Sequence, residues 1–185
     1  MPGPSAQNVF QLRITLEDVT PTVWRRLLVP GGVPLAKLHH MFQAAMGWTN
    51  SHLHSFTIGD ELYGMHADDY DEDEIDEIGV TIAHAVGEHR RFSYEYDFGD
   101  SWDHEIVVEH LTTSSPGLKH AVCLDGANAC PPEDCGGAYG YAQLLEVLAD
   151  PAHEEYDDVV EWVGGAFDPT VFDVAAVNAA LQHVR

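Results

Sequence analysis

The chain has 185 residues, and eight lysines and arginines against 31 aspartates and glutamates give it a formal net charge of −23. This charge repels phosphate groups, so it argues against direct binding of DNA, RNA or anionic membranes. Hydrophobic residues make up 45% of the chain, yet no apolar run approaches the roughly 20 residues of a membrane-spanning helix. At this length we expect one globular domain over residues 1–185.

The N-terminal half alternates between strand and helix patterns. Apolar residues with a period of two predict strands over residues 10–16, 23–29 and 51–58. Between the second and third strands, apolar residues at helical spacing predict a helix from Pro34 to Met46, which Gly47 ends. Residues 68–77 carry eight acids in ten positions and predict a solvated acidic loop, and a weak helix or strand follows over 78–86.

The middle of the chain predicts a β-hairpin and then an irregular segment. Tyr94 and Tyr96 alternate with polar residues before a Phe-Gly-Asp-Ser turn, and Trp102, His104 and Ile106 alternate on the way back. Residues 112–137 are rich in Ser, Pro, Gly and Cys, which predicts an irregular connection.

The last third predicts helices. Three apolar stripes at helical spacing begin near Tyr141, Tyr156 and Val174, and the last follows Asp173 as a capping residue. Strands early and helices late predict an α+β fold, with a mainly antiparallel sheet, one helix among the strands and a helical C-terminal third.

Histidines on predicted strands are the first candidate site. His52 and His54 are two positions apart, so their rings would project from one strand face, and His104 lies on the inward face of another strand. If the strands are neighbours, the three imidazoles would converge, with Asp97 or Asp100 of the hairpin turn nearby, and would bind a divalent metal. The alternative is that each histidine is an ordinary half-buried residue with one backbone hydrogen bond.

The three cysteines and the turn around them give a weaker pattern. Cys123, Cys130 and Cys135 lack the close pairs of a zinc ribbon. They would either staple the irregular segment with a fourth ligand from Asp125, His120 or a distant histidine, or be buried free thiols that act as small hydrophobic residues. Three cysteines cannot all pair, and residues 1–13 lack a leader pattern, so we expect a protein of the reducing cytoplasm. Residues 130–137 combine two prolines, two adjacent carboxylates and two glycines, which is typical of a shaped turn; it would either serve a site or simply connect a strand to a helix.

Five sequence motifs together resemble one known family. They are SHLHSF (51–56), YEYDFGDSWDHEI (94–106), CPPEDCGGAYGY (130–141), LADPAHEEY (148–156) and EWVGGAFDPTVFD (161–173). In this order they are similar to the plasmid pRi ORF-three-like family, also labelled TnpR passenger proteins of insertion elements. The resemblance runs from about Phe10 to Val184 and implies a single α+β domain associated with mobile elements. It implies no catalytic residues, and the resolvase that the label suggests would need a cationic DNA surface that this chain lacks.

Three hypotheses of function follow from the residues. The first is a non-catalytic binding module that holds a small ligand or a partner segment on an aromatic and histidine-lined surface, formed by Trp48, His52, His54, Tyr94, Tyr96, Asp97, Trp102 and His104. The second is a metal-dependent hydrolase that uses His52, His54 and His104 with Asp97 or Asp100, for which a divalent metal is the candidate cofactor. The third is an acidic mimic of nucleic acid that binds a basic protein, which would co-purify only at low salt.

Overall fold

Strands and helices account for most of the residues that the structure, a computed structural model, describes, namely 8–65, 74–113 and 118–184. In these ranges the strands are β1 (Asn8–Leu16), β2 (Trp24–Pro30), β3 (His54–Ile58), β4 (Glu61–Gly64), β5 (Ile75–Asp76), β6 (Arg91–Tyr96), β7 (Trp102–Thr113) and β8 (Val122–Ala127). The α-helices are α1 (Leu35–Met46), α2 (Ile82–Val86), α3 (Gly137–Ala149), α4 (Tyr156–Trp162) and α5 (Val174–Leu181), and a short 3-10 helix spans Glu77–Gly79.

All eight strands belong to one sheet, in the order β5-β4-β3-β6-β7-β1-β2-β8. Every neighbouring pair is antiparallel except β4 and β5, which are parallel. This arrangement confirms the mixed α+β class and the mainly antiparallel sheet. It also places the β6–β7 hairpin in the middle of the sheet, between β3 and β1.

The core lies between helix α1 and one face of the sheet. Alternate residues of the central strands point to this face, and the Phe42 ring of α1 lies 5.2 Å edge-on from the Tyr94 ring and 6.1 Å from Phe56. Leu12, Ile14 and Ile106, from neighbouring strands, are fully buried as well. The period of two in the sequence therefore marks the residues that form the core.

The structure differs from the predicted elements at several places. Strand β8 forms within residues 112–137, which were predicted to be irregular, because it pairs with β2 from a distant part of the chain. Residues 78–86, predicted as a weak helix or strand, contain helix α2, so two α-helices lie among the strands where the fold prediction had one. Strand β3 begins only at His54. Of the predicted acidic loop, residues 68–73 lie outside the described residues, Ile75–Asp76 form β5, and Glu77 begins the 3-10 helix.

The predicted helical C-terminal third is confirmed in part: α3, α4 and α5 form there, but residues 163–173 between α4 and α5 are irregular. Helix α5 contacts α1 and the edge strand β8. There the Asn178 side chain accepts from Cys123 N at 2.8 Å and donates to Cys123 O at 2.9 Å. None of the described helices has the length and apolar character needed to cross a membrane.

Candidate functional site

One imidazole and three carboxylates meet where the loop after α1, the hairpin turn and the segment before α3 come together. His52 Nε2 lies 3.5 Å from Asp97 Oδ2, 3.6 Å from Glu133 Oε2 and 3.0 Å from Asp134 Oδ1. One ligand atom from each of His52, Asp97 and Asp134 lies within 4.8 Å of the other two. We refer to these four residues as the His52 cluster.

The imidazole of His52 faces these carboxylates without a hydrogen bond. Its Nε2 atom is buried, and although Asp134 Oδ1 is only 3.0 Å away, no acceptor of the described residues meets the nitrogen in hydrogen-bond geometry. The Asp134 side chain is 70% exposed and the His52 side chain 28%, so the cluster is open to solvent on the Asp134 side. An imidazole nitrogen beside carboxylate oxygens is the donor set that divalent transition metals bind.

Backbone geometry brings two of the carboxylates to this position. Asp97 and Asp134 both have a positive φ, of 57° and 58°, a conformation that aspartate tolerates better than most residues. Asp97 Oδ1 accepts from Gly99 N at 3.0 Å within the hairpin turn, which leaves Oδ2 facing His52. Asp97 N also donates to Leu53 O at 2.8 Å, which ties the turn to the residues next to His52.

Glu133 is held by hydrogen bonds from two neighbours. Its Oε1 accepts from Thr49 N at 2.6 Å, and its two oxygens lie 3.2 and 3.1 Å from the Tyr96 hydroxyl, which donates to them. Burial raises the pKa of Tyr96 to about 12, so the phenol keeps its proton near neutral pH. The Trp48 indole donates to Pro131 O at 3.0 Å and fixes the same segment. Glu133 is thus oriented by the protein beside the other three side chains.

Most residues of the predicted aromatic and histidine-lined surface are not accessible to solvent. Six of its eight residues are buried in the core, with at most 7% exposure: Trp48, His54, Tyr94, Tyr96, Trp102 and His104. The reason is that β6 and β7 have a strand on each side and α1 above them, so their inward face is covered. His52 and Asp97 are the two predicted ligand-binding residues that belong to the open cluster.

The three predicted histidine ligands do not converge. His52 precedes β3 and faces the cluster, whereas His54 Nε2 bonds to Glu77 Oε2 at 2.9 Å and its ring stacks on His39 with a centroid distance of 3.4 Å. Strand β6 separates His104 on β7 from β3, so His104 and His54 share a sheet face without being neighbours. Asp100 instead accepts from Gly136 N at 3.1 Å. Of the predicted metal ligands, the cluster keeps His52 and Asp97.

Sequence reasoning did not assign Glu133, Asp134 or Glu77 to a site. The two adjacent carboxylates of the shaped turn were visible in the sequence, but their approach to His52 depends on contacts across about eighty residues of chain. Glu77 was predicted to be part of a solvated acidic loop, and it is instead 2% exposed because it pairs with His54.

His104 is buried and hydrogen-bonded, as its position in the alternating pattern predicts. It is fully buried, and its Nδ1 lies 3.1 Å from Tyr94 O. Its ring packs edge-on against Trp48 at 5.5 Å. Burial lowers the pKa of His104 from 6.5 to about 4, because the core disfavours the charged ring.

This lowered pKa predicts a loss of stability in acid. Between pH 6.5 and 4 the unfolded chain binds a proton at His104 that the folded chain does not, so the free energy of unfolding falls as the pH is lowered through this window. We expect this residue to contribute a loss of about 3 kcal/mol. Urea unfolding of the protein and of His104→Asn at several pH values measures it. The variant should show a shallower slope, and equal slopes would contradict the assignment.

The fold and the His52 cluster define a mixed α+β protein that has a solvent-accessible histidine–carboxylate site at the end of its central hairpin. The family model described as plasmid pRiA4b ORF-3-like protein matches residues 8–176, and the chain belongs to this family. The match confirms the family resemblance drawn from the sequence motifs.

Two relatives support this membership. The uncharacterised protein y4hQ of Sinorhizobium fredii (strain NBRC 101917 / NGR234) is 40% identical over 180 residues, which are 96% of this chain and 92% of that protein. The crystal structure of a protein of unknown function, MM3350 from Methanosarcina mazei Go1, is 34% identical with a TM-score of 0.85, and the match covers 93% of this chain and 97% of that one. Neither description states an activity.

Proposed function

We propose that this protein binds a divalent cation at the His52 cluster, with His52, Asp97 and Asp134 as its ligands. The observation that carries the proposal is the buried Nε2 of His52, which faces carboxylate oxygens of both aspartates without a hydrogen bond. A cation there would neutralise carboxylates that otherwise repel one another in a chain of net charge −23. Nitrogen and carboxylate ligands together suit manganese, iron or zinc.

The chemistry that such a site supports is activation of water. Three protein ligands leave coordination positions open on the exposed Asp134 side, where water and a substrate from solution would bind. A bound divalent cation lowers the pKa of its water and so supplies a nucleophile near neutral pH. Glu133 lies next to His52 and is the candidate base for that water. We therefore favour a metal-dependent hydrolase, with a ligand set that differs from the three histidines expected from the sequence.

The alternative hypothesis of a non-catalytic binding module is now supported by fewer residues. With the aromatic residues in the core, a small ligand or partner segment would contact the solvent-accessible part of the His52 cluster itself. The net charge continues to support the third hypothesis, a basic protein partner that binds at low salt.

Titration with manganese tests the proposal. Mn²⁺ is the probe because the three free thiols, Cys123, Cys130 and Cys135, would compete for zinc. Protein without a His tag is first freed of metal with a chelator. It should then bind one equivalent of Mn²⁺, as measured by calorimetry or by the loss of the electron paramagnetic resonance signal of free Mn²⁺. We expect His52→Ala and Asp134→Asn each to weaken binding by about a hundredfold, since each removes a direct ligand and loss of supporting residues alone costs 10–100-fold.

Matched controls separate loss of the site from loss of the fold. His84→Ala and Asp60→Asn change exposed residues of the same types outside the cluster and should leave the affinity unchanged. Thermal unfolding of each variant without metal shows whether it is folded. Stoichiometric binding that survives His52→Ala, or no binding of Mn²⁺ to the unmodified protein, would reject the proposal.

A further inference from the structure

Arg25 on strand β2 is a buried cation without an acidic partner. It is 3% exposed, and no carboxylate of the described residues lies within 4.0 Å of its guanidinium. The neighbouring Arg26 pairs with Glu109 at 2.6 Å, and Arg91 pairs with Glu105. What distinguishes Arg25 among the described lysines and arginines is its burial, because its charge has neither solvent nor a carboxylate close to it.

The hydrogen bonds of Arg25 leave one end of the guanidinium unused. Its Nε donates to Ala45 O at 2.9 Å, and its Nη1 donates to Trp24 O at 2.8 Å and Ala127 O at 2.9 Å. Its Nη2 donates to no acceptor among residues 8–65, 74–113 and 118–184. Burial lowers the pKa of Arg25, but a guanidinium stays protonated in proteins. Two N–H donors of a buried positive charge therefore remain available.

These donors belong to a residue that lines a cavity. The cavity measures about 320 Å³ and lies between the end of α1, helix α5 and residues 171–173. The Phe172 ring covers the guanidinium, with its centroid 4.6 Å from Arg25 Cζ. Gly126 makes room for that ring, because a Cβ there would lie 2.6 Å from it. The rest of the lining is mostly apolar, with Val171, Val177 and Ala180 among its residues.

The two other polar residues of the lining do not compete for Arg25. The Asp173 carboxylate caps helix α5, where its Oδ1 accepts from Ala175 N at 2.8 Å and Ala176 N at 3.2 Å. Burial raises the pKa of the Cys130 thiol, so this thiol is neutral near pH 7. The cavity thus offers one positive charge, one carboxylate that already caps helix α5, and otherwise mostly apolar walls.

We propose that this cavity binds a small organic acid. Its anionic group, a carboxylate or a phosphate, pairs with Nη2 of Arg25, and its apolar body lies against Phe172, Val177 and Ala180. A volume of about 320 Å³ is at the lower end of ligand cavities, which fits a short-chain or single-ring acid. This site is separate from the His52 cluster and does not depend on the metal proposed there.

Ligand-observed NMR and calorimetry with three probes test the proposal: hexanoate, benzoate and hexyl phosphate, each in the presence of a chelator. Hexanamide and benzamide are the uncharged counterparts of the two carboxylates. We expect at least one acid to bind in one equivalent, and the carboxylates to bind about tenfold or more tightly than their amides, because a charge-assisted bond to Arg25 is lost in the amide. Comparison of hexyl phosphate with hexanoate shows which anionic group the site prefers.

Two variants on one helix localise the binding. Ala176 lines the cavity and Ala175 does not, while both are exposed on α5. Ala176→Phe should fill the cavity and weaken binding at least tenfold, and Ala175→Phe should leave it unchanged. Arg25→Lys keeps the charge but loses the planar donors, and should weaken binding if the variant unfolds at the same temperature as the unmodified protein. Binding unaffected by Ala176→Phe, equal affinity for acid and amide, or no binding of any acid at millimolar concentration would overturn the proposal.

Discussion

Replacing His54 by leucine is expected to lower the free energy of unfolding by about 3–5 kcal/mol, because it removes one partner of a buried pair. His54 Nε2 donates to Glu77 Oε2 at 2.9 Å, and their side chains are only 1% and 3% exposed. In His54→Leu the Glu77 carboxylate would stay in the core, but it would lose the hydrogen bond from the histidine ring. The lost stacking on His39 adds to the cost. Urea unfolding at pH 7 measures the change.

A second substitution tells this effect apart from simple loss of packing. In His54→Leu/Glu77→Leu the stranded carboxylate is gone, so the double variant should recover part of the lost stability. His110→Leu changes an exposed strand histidine and should have an effect within about 0.5 kcal/mol. If the double variant is less stable than His54→Leu by the full cost of a second core substitution, the buried pair is not the cause.

Gly140→Ala is expected to destabilise the protein by about 2–3 kcal/mol, although alanine favours a helix by about 1 kcal/mol over glycine. Gly140 lies in the first turn of α3, and a Cβ there would overlap the backbone oxygen of Cys135. The overlap involves backbone, which cannot move without displacing residues 133–135. Because these residues carry Glu133 and Asp134, we also expect weaker Mn²⁺ binding. Urea unfolding and the manganese titration measure the two effects.

A glycine elsewhere provides the control. A Cβ at Gly79 would meet no atom within 4 Å, so Gly79→Ala should change the free energy of unfolding by no more than about 0.5 kcal/mol and leave Mn²⁺ binding intact. Unchanged stability in Gly140→Ala would mean that the segment before α3 is not held against this helix as described.

The elements with a local pattern were predictable from the sequence. Strand β1 and the β6–β7 hairpin alternate with a period of two, and α1 has its apolar residues at helical spacing. The burial of His104 follows from the same alternation. Strand β8 shows no such pattern. Its register against β2 shifts between Arg26 and Leu27, and its outward residues are partly exposed.

The site was predictable only in part, because it depends on which distant segments meet. His52 and Asp97 were chosen from residue type and position, and both belong to the cluster. The sequence did not show that β3 begins one residue after Leu53, which separates His52 from His54. Nor did it show that β6 lies between His54 and His104, since strand order is a property of the whole sheet. Aromatic residues chosen as a binding surface became core for the same reason.

The contact between Asn178 and Cys123 covers part of the exposed edge of strand β8. A strand at the end of a sheet exposes amide and carbonyl groups that another molecule can use to extend the sheet. At Cys123 on β8, the Asn178 side chain already supplies both hydrogen bonds that a further strand would make with that residue. The Asn178 amide thus occupies the hydrogen-bonding groups that a neighbouring strand would use at Cys123. This disfavours edge-to-edge pairing of two molecules at this position.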